Sequence, residues 1–140
     1  MSELSLTVKR RINQPAAKIF EAWLDPKMMA KYMVPSDEFT VPHTEIDARV
    51  GGRFSFVVKK DKENPHAGTY LAIDRYNRIA FTWESPFCAE GSIVTLTFVP
   101  VGVNATDVEL THIKFLSEQS RDGHNNVWGI ILATLDTLLS

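Results

Sequence analysis

The sequence predicts an α+β fold: a curved antiparallel sheet of about six to seven strands wrapped around one long C-terminal helix, with two short helices after the first strand. Three observations carry that expectation. Period-2 alternation recurs from residue 38 to 115, an apolar stripe at steps of three and four fills the last twenty residues, and prolines punctuate two helical stretches near the start.

Leu4, Leu6 and Val8 alternate with Ser5, Thr7 and Lys9, the pattern of a strand with one buried face. After Pro15, residues Ile19, Phe20 and Trp23 recur at helical spacing until Asp25 and Pro26 interrupt them. Asp25 is placed to cap a second helix that begins at Pro26 and carries Met28, Met29, Tyr32 and Met33 before Pro35 stops it. The meander then follows. Ile46, Ala48 and Val50 share a face, Gly51-Gly52 marks a bulge or sharp bend, and Phe54 and Phe56 continue the alternation. Lys59 to Pro65 reads as a charged turn. Thr69, Leu71 and Ile73 share the next face, followed by Ile79, Phe81 and Trp83, by Val94, Leu96 and Phe98, and by Val108, Leu110 and His112.

The final segment changes period. Val127, Trp128, Ile131, Leu132, Leu135, Leu138 and Leu139 trace the apolar face of a helix starting between Ser117 and Asp122, with Gly123 set to break its first turn. A twisted sheet and a straight helix meet imperfectly, so a gap lined by large inward side chains is expected between them, of the kind that takes small ligands.

Composition bounds the function. The chain has 140 residues, 44% hydrophobic and 23% charged, which fits one domain over 1–140 without a metal or disulfide to hold it. A net charge of −2 supplies no basic field for phosphate backbones, so nucleic acid is not an expected partner. No run approaches the ~18 apolar residues that span a bilayer, so membrane insertion is not expected either. One cysteine, Cys88, and an N-terminus without a basic-then-apolar segment point to the cytoplasm, with the chain as monomer or homodimer. Cys88 has no adjacent base and reads as an ordinary thiol. His43, His66, His112 and His124 show no metal-ligand spacing, so no metal or cofactor is expected.

Phe20-Glu21-Ala22-Trp23-Leu24-Asp25-Pro26, Tyr32-Met33-Val34-Pro35, Asp47-Ala48-Arg49-Val50-Gly51-Gly52-Arg53-Phe54, Gly68-Thr69-Tyr70 and Arg78-Ile79-Ala80-Phe81-Thr82-Trp83 together resemble the START-like (SRPBCC, Bet v 1-type) superfamily. Within it the chain is similar to domains homologous to the C-terminal part of the activator of heat-shock protein 90 ATPase. Thr106 to His112, with His124, Trp128 and Leu135, extend the resemblance over nearly the whole length. The resemblance implies a helix-grip fold around a deep hydrophobic cavity. It also implies a choice among ligand carriers, cyclases or hydrolases, and a co-chaperone branch that stimulates an ATPase by contact. One departure is that Tyr32 and Met33 stand where the family often has a tryptophan pair.

The residues expected to line a cavity are Tyr32, Met33, Trp128 and Leu132 from the helices, with Phe54, Phe56, Leu71, Phe81 and Trp83 from the first inward rows of the sheet. Leu96, Leu110 and His112 complete the set. His112 has two readings, a core histidine with satisfied nitrogens or a polar anchor, even a general acid or base. Tyr32 is a second polar anchor. Tyr70 is out of phase with Leu71 and reads as either solvent-facing or edge-covering. Phe39, Phe87 and Cys88 either rim an entrance or belong to a packed loop, and His124 either closes the pocket mouth or, the leading reading, is an exposed residue at the helix start. Asp47 and Arg49 are expected to pair, with Arg53 as a further partner. The leading functional expectation is a small hydrophobic molecule held between helix and sheet. A chaperone or other protein partner stands second, since the chain has room for one domain only, and a cyclase or hydrolase acting through His112 third.

Overall fold

Chain order follows these changes of pattern. β1 (Ser5–Ile12) leads into α1 (Ala16–Trp23) and α2 (Pro26–Tyr32), then β2 (Thr40–Ile46), β3 (Arg53–Lys59), β4 (Glu63–Asp74), β5 (Arg78–Thr82), β6 (Cys88–Pro100), β7 (Thr106–Phe115) and α3 (Glu118–Leu139). The computed structural model describes residues 4–36, 38–85 and 88–140, with backbone only for 88–90. The expected readings of Phe87 and of the Cys88 side chain lie outside the described residues.

The seven strands form one open antiparallel sheet in the order β1-β7-β6-β5-β4-β3-β2. Each neighbour in that order except β1·β7 is also a neighbour in sequence, so the sheet is a meander whose first strand closes onto its last. α3 packs against β1, β7 and α2. Pro26 at the first position and the Asp25 carboxylate, accepting from the Lys27 and Met28 amides, start α2 where the sequence placed it. Ser117 caps α3 by accepting from the Ser120 amide, and Gly123 lies inside the helix rather than breaking it.

Alternation delivers one face of each strand to the core. Phe54, Phe56 and Val58 on β3, Val94, Leu96 and Phe98 on β6, and Val108 and Leu110 on β7 are buried with Trp128, Ile131, Leu132, Leu135 and Leu139 of α3. Gly68 is fixed by contact: a side chain there would collide with the Thr82 carbonyl and the Phe54 ring.

Four expectations need correction. The charged turn is shorter, because β4 begins at Glu63 and pairs Asn64 with Val58 and Pro65 with Val57. Proline is tolerated there because the stretch lies beyond the partners of β5. β2 ends at Ile46, and Ala48 and Val50 are exposed in the bend that follows. On β4, Tyr70 is buried and Leu71 is 47% exposed, the reverse of the expected phase. The register shifts between Tyr70 and Ala72, so one extra residue reverses the side-chain parity along the strand. Finally, Arg49 pairs with Asp47 as expected, but Arg53 turns to Glu84 instead, with nitrogens 3.0 and 3.1 Å from its two oxygens.

Candidate functional site

A cavity of about 670 Å³ opens between the first turns of α3 and the β3–β4 side of the sheet. Its sheet wall comes from alternate inward positions, Phe56 and Val58 on β3 and Asn64 and His66 on β4, with Trp83 just after β5. Helix α3 supplies Ser120, Gly123, His124, Val127, Trp128 and Ile131, spaced as one helical face. Met33, Pro35 and Phe39 close the side beyond α2, and Leu116, 65% exposed, stands at the mouth beside Ser117 and Gln119.

The inner wall is aromatic. Phe56 stacks on His66 with centroids 4.9 Å apart and planes 3° apart, and Trp83 lies 5.0 Å from Trp128 and 5.3 Å from His66. Such geometries are the favoured offset and tilted arrangements of ring quadrupoles. The Trp83 and Trp23 indole N–H groups are buried without a hydrogen-bond partner, at a cost of ~1–3 kcal/mol each.

Behind that wall His112 is fully buried and held at both nitrogens. The Trp128 indole can only donate, so Nδ1 of His112 accepts its bond at 3.0 Å. The ring proton is therefore on Nε2, 2.7 Å from Ser92 Oγ, whose hydroxyl in turn donates to the Ile113 carbonyl at 2.8 Å. Burial, with His124 nearby, pushes the His112 pKa down to about 3. Both ring nitrogens are thus engaged inside the core, the arrangement of the first of its two readings. Tyr32 is likewise internal: its hydroxyl donates to the Ala22 carbonyl at 3.3 Å, and burial raises its pKa.

Two further histidines belong to the cavity wall. His66 Nδ1 is 3.0 Å from the Asn64 carbonyl, and burial lowers its pKa to about 4. His124 Nδ1 is 2.8 Å from the Ser120 carbonyl, one turn back on α3, and burial lowers its pKa as well. The His124 ring meets His112 edge-on at 5.4 Å, so it is half-buried rather than the exposed helix-start residue expected. Both neutral rings thus carry the proton on Nδ1.

Of the twelve expected lining residues, Met33, Phe56, Trp83 and Trp128 line the cavity. Phe54, Phe81, Leu96, Leu110 and Leu132 lie in the packed core with Tyr32 and His112, and Leu71 faces solvent. Sequence reasoning missed His66, Asn64, Val127 and Ile131 as wall residues. Val127 and Ile131 are legible as part of the helical stripe; His66 is not, because it falls between the charged turn ending at Pro65 and the expected inward row Thr69, Leu71 and Ile73, with which it is out of phase. Among the described residues no group of three or more His, Cys, Asp or Glu side chains is arranged to hold a metal ion. Nor is any described helix long and apolar enough to cross a membrane.

Comparison with known proteins gives a consistent picture of the fold. The family model described as "Activator of Hsp90 ATPase homolog 1-like protein" matches residues 13–140. No curated protein matches the chain. Among solved structures, a Chromobacterium violaceum protein superposes with a TM-score of 0.83 at 24% identity, covering 96% of this chain and 95% of that one. An AHSA1-like protein from Aeromonas hydrophila gives 0.81 at 21% identity, with 97% and 92% covered. A heat-shock protein 90 activator from Plasmodium falciparum gives 0.76 at 21% identity, with 97% and 96% covered.

Proposed function

The chain belongs to the activator of Hsp90 ATPase homolog 1-like family, and from that premise we propose that it holds a small hydrophobic molecule between α3 and the curved sheet. The observation that carries this reading is the 670 Å³ cavity with Phe56, Trp83, Trp128, Met33 and Val127 on its wall. That volume lies within the ~300–1,000 Å³ of small-molecule sites. Wall atoms facing a void lose their dispersion partners, and an apolar guest restores them. His112 takes no part, because both its nitrogens are held inside the core. In this reading residues 1–140 act as one cytoplasmic domain, as monomer or homodimer.

Native mass spectrometry tests it, on protein isolated from cells and again after incubation with a mixed library of lipids, alcohols and aromatic compounds. One bound molecule per chain is expected. A spectrum without adducts across the whole library would overturn the proposal.

A second reading is docking on a heat-shock protein 90 chaperone. It is supported by the family description and by the Plasmodium relative described as an activator. Faster ATP hydrolysis on mixing the two proteins is its expected outcome, and an unchanged rate would remove it.

A further inference from the structure

We propose that the guest is an uncharged aromatic molecule, held by ring faces, rather than a fatty acid or another organic anion. This rests on the cavity-binding reading and adds to it the chemical class of the ligand.

Charge decides the first half. Among the described residues, no Lys, Arg, Asp or Glu side chain lines the cavity. At the rim Lys60 reaches over the Phe39 ring at 5.7 Å, but its ammonium is 2.8 Å from the Glu38 carboxylate, so that pair offers no net charge to an incoming acid. The two histidines of the wall, His66 and His124, are kept neutral by burial. Their Nδ1 atoms are spent on backbone carbonyls. A carboxylate entering this site would lose its hydration without meeting a cation, which is the costliest way to bury a charge. An acid that left its head group in the water at the mouth would gain nothing from it.

Ring geometry decides the second half. The Phe56 and His66 rings are parallel within 3° and stacked at 4.9 Å, and the Trp83 and Trp128 rings meet at 60°. The rings that line the cavity form one contiguous aromatic cluster, with Trp83 tilted 49°, 50° and 60° to Phe56, His66 and Trp128, and a planar guest entering beside it adds a further stacked or edge contact. Met33 adds a polarizable thioether that adapts to ring edges. A flexible alkyl chain would fill the same volume but would pay rotamer entropy and forgo the quadrupole term.

The test uses N-phenyl-1-naphthylamine, a neutral dye that brightens in apolar sites, with the full-length protein at pH 7.5. It is displaced in turn by 2-acetylnaphthalene, 1-octanol and octanoate. Expected are dye binding at one site and displacement by 2-acetylnaphthalene at least threefold tighter than by 1-octanol and at least tenfold tighter than by octanoate. Smaller ratios, or octanoate as the best competitor, overturn the aromatic and uncharged assignment while leaving the cavity reading standing. No dye binding and no displacement by any competitor overturns both. Gly123→Leu locates the site: its Cβ meets nothing within 4 Å, so leucine extends into open space at the cavity without a clash. This variant is expected to keep its helical circular dichroism and melting temperature and to weaken dye binding at least tenfold. Undiminished binding by the folded variant would place the guest elsewhere and overturn the proposal.

Discussion

Over its last turns α3 buries Leu132, Leu135 and Leu139 against the sheet, while its first turns set Ser120, Gly123 and His124 against open volume. The C-terminal half is also tied down at its end, where the Leu139 carbonyl accepts from Gln14 Nε2 at 2.6 Å and from Lys18 Nζ at 3.1 Å. Arg10 adds an ion pair to Asp136 at 2.9 Å. The N-terminal half starts from its Ser117 cap and carries the wall rings, with His124 against His112 and Phe115. One helix thus serves as core at one end and as cavity wall at the other, and Trp128 stands at the boundary. The difference lies in side-chain supply: leucines recur toward the C-terminus, whereas Gln119 to Asn126 contain no apolar side chain long enough to fill the space opposite Phe56.

The largest expected effect is at the boundary and in the closed half. Trp128→Ala and Leu135→Ala should each cost ~3–5 and ~2–5 kcal/mol of unfolding free energy by urea titration. Val127→Ala, on the cavity side, should cost under ~1 kcal/mol. Equal losses at Leu135 and Val127 would erase the distinction between the halves. Trp128→Ala has the added penalty of stranding His112 Nδ1.

Next in size is the dependence on pH. An unfolded histidine binds its proton near pH 6.5, whereas buried His112 resists protonation until about pH 3. The unfolded state therefore holds more protons between those limits, and stability falls as pH drops below 6.5. His112 alone should contribute a loss of about 2 kcal/mol between pH 7.5 and 5. His66, with its pKa near 4, and His124 act in the same direction. A urea midpoint unchanged over that range would contradict the burial of all three.

Smaller effects sharpen the picture of the outer helix face and the orphaned donors. Gly129 lies in α3 with open space at its Cβ, so Gly129→Ala should add ~0.5–1 kcal/mol through helix propensity alone. Trp23→Phe removes a buried donor that has no partner, so its lost ring volume is partly offset. Its melting temperature should fall less than that of Trp128→Phe, which loses a donor that is used; an equal fall would contradict the difference between the two indoles.

Much of the fold was legible because its periods are local. The Asp25-Pro26 start of α2, the Ser117 region as the start of α3, and the inward rows Phe54-Phe56, Val94-Leu96-Phe98 and Val108-Leu110 all follow from spacing within a few residues. Leu71 was misplaced because the bulge beside it is a property of two strands together, and a single extra residue reverses parity for everything before it. His66 was missed because a charged stretch ending in Pro65 resembles a turn until a neighbouring strand pairs with it. His112 had two readings because its period gives the inward direction but not its partners; Trp128 and Ser92 come from elements distant in sequence.

The sequence by itself determined the order of elements, the buried face of most strands and the amphipathic stripe of the last helix, since each depends on side chains a few residues apart meeting the same solvent boundary. Only the tertiary structure decided which inward residues fill the core and which face open volume. That division depends on how far the sheet curves away from the first turns of α3, a distance set by packing along its last turns and written in no local run of residues.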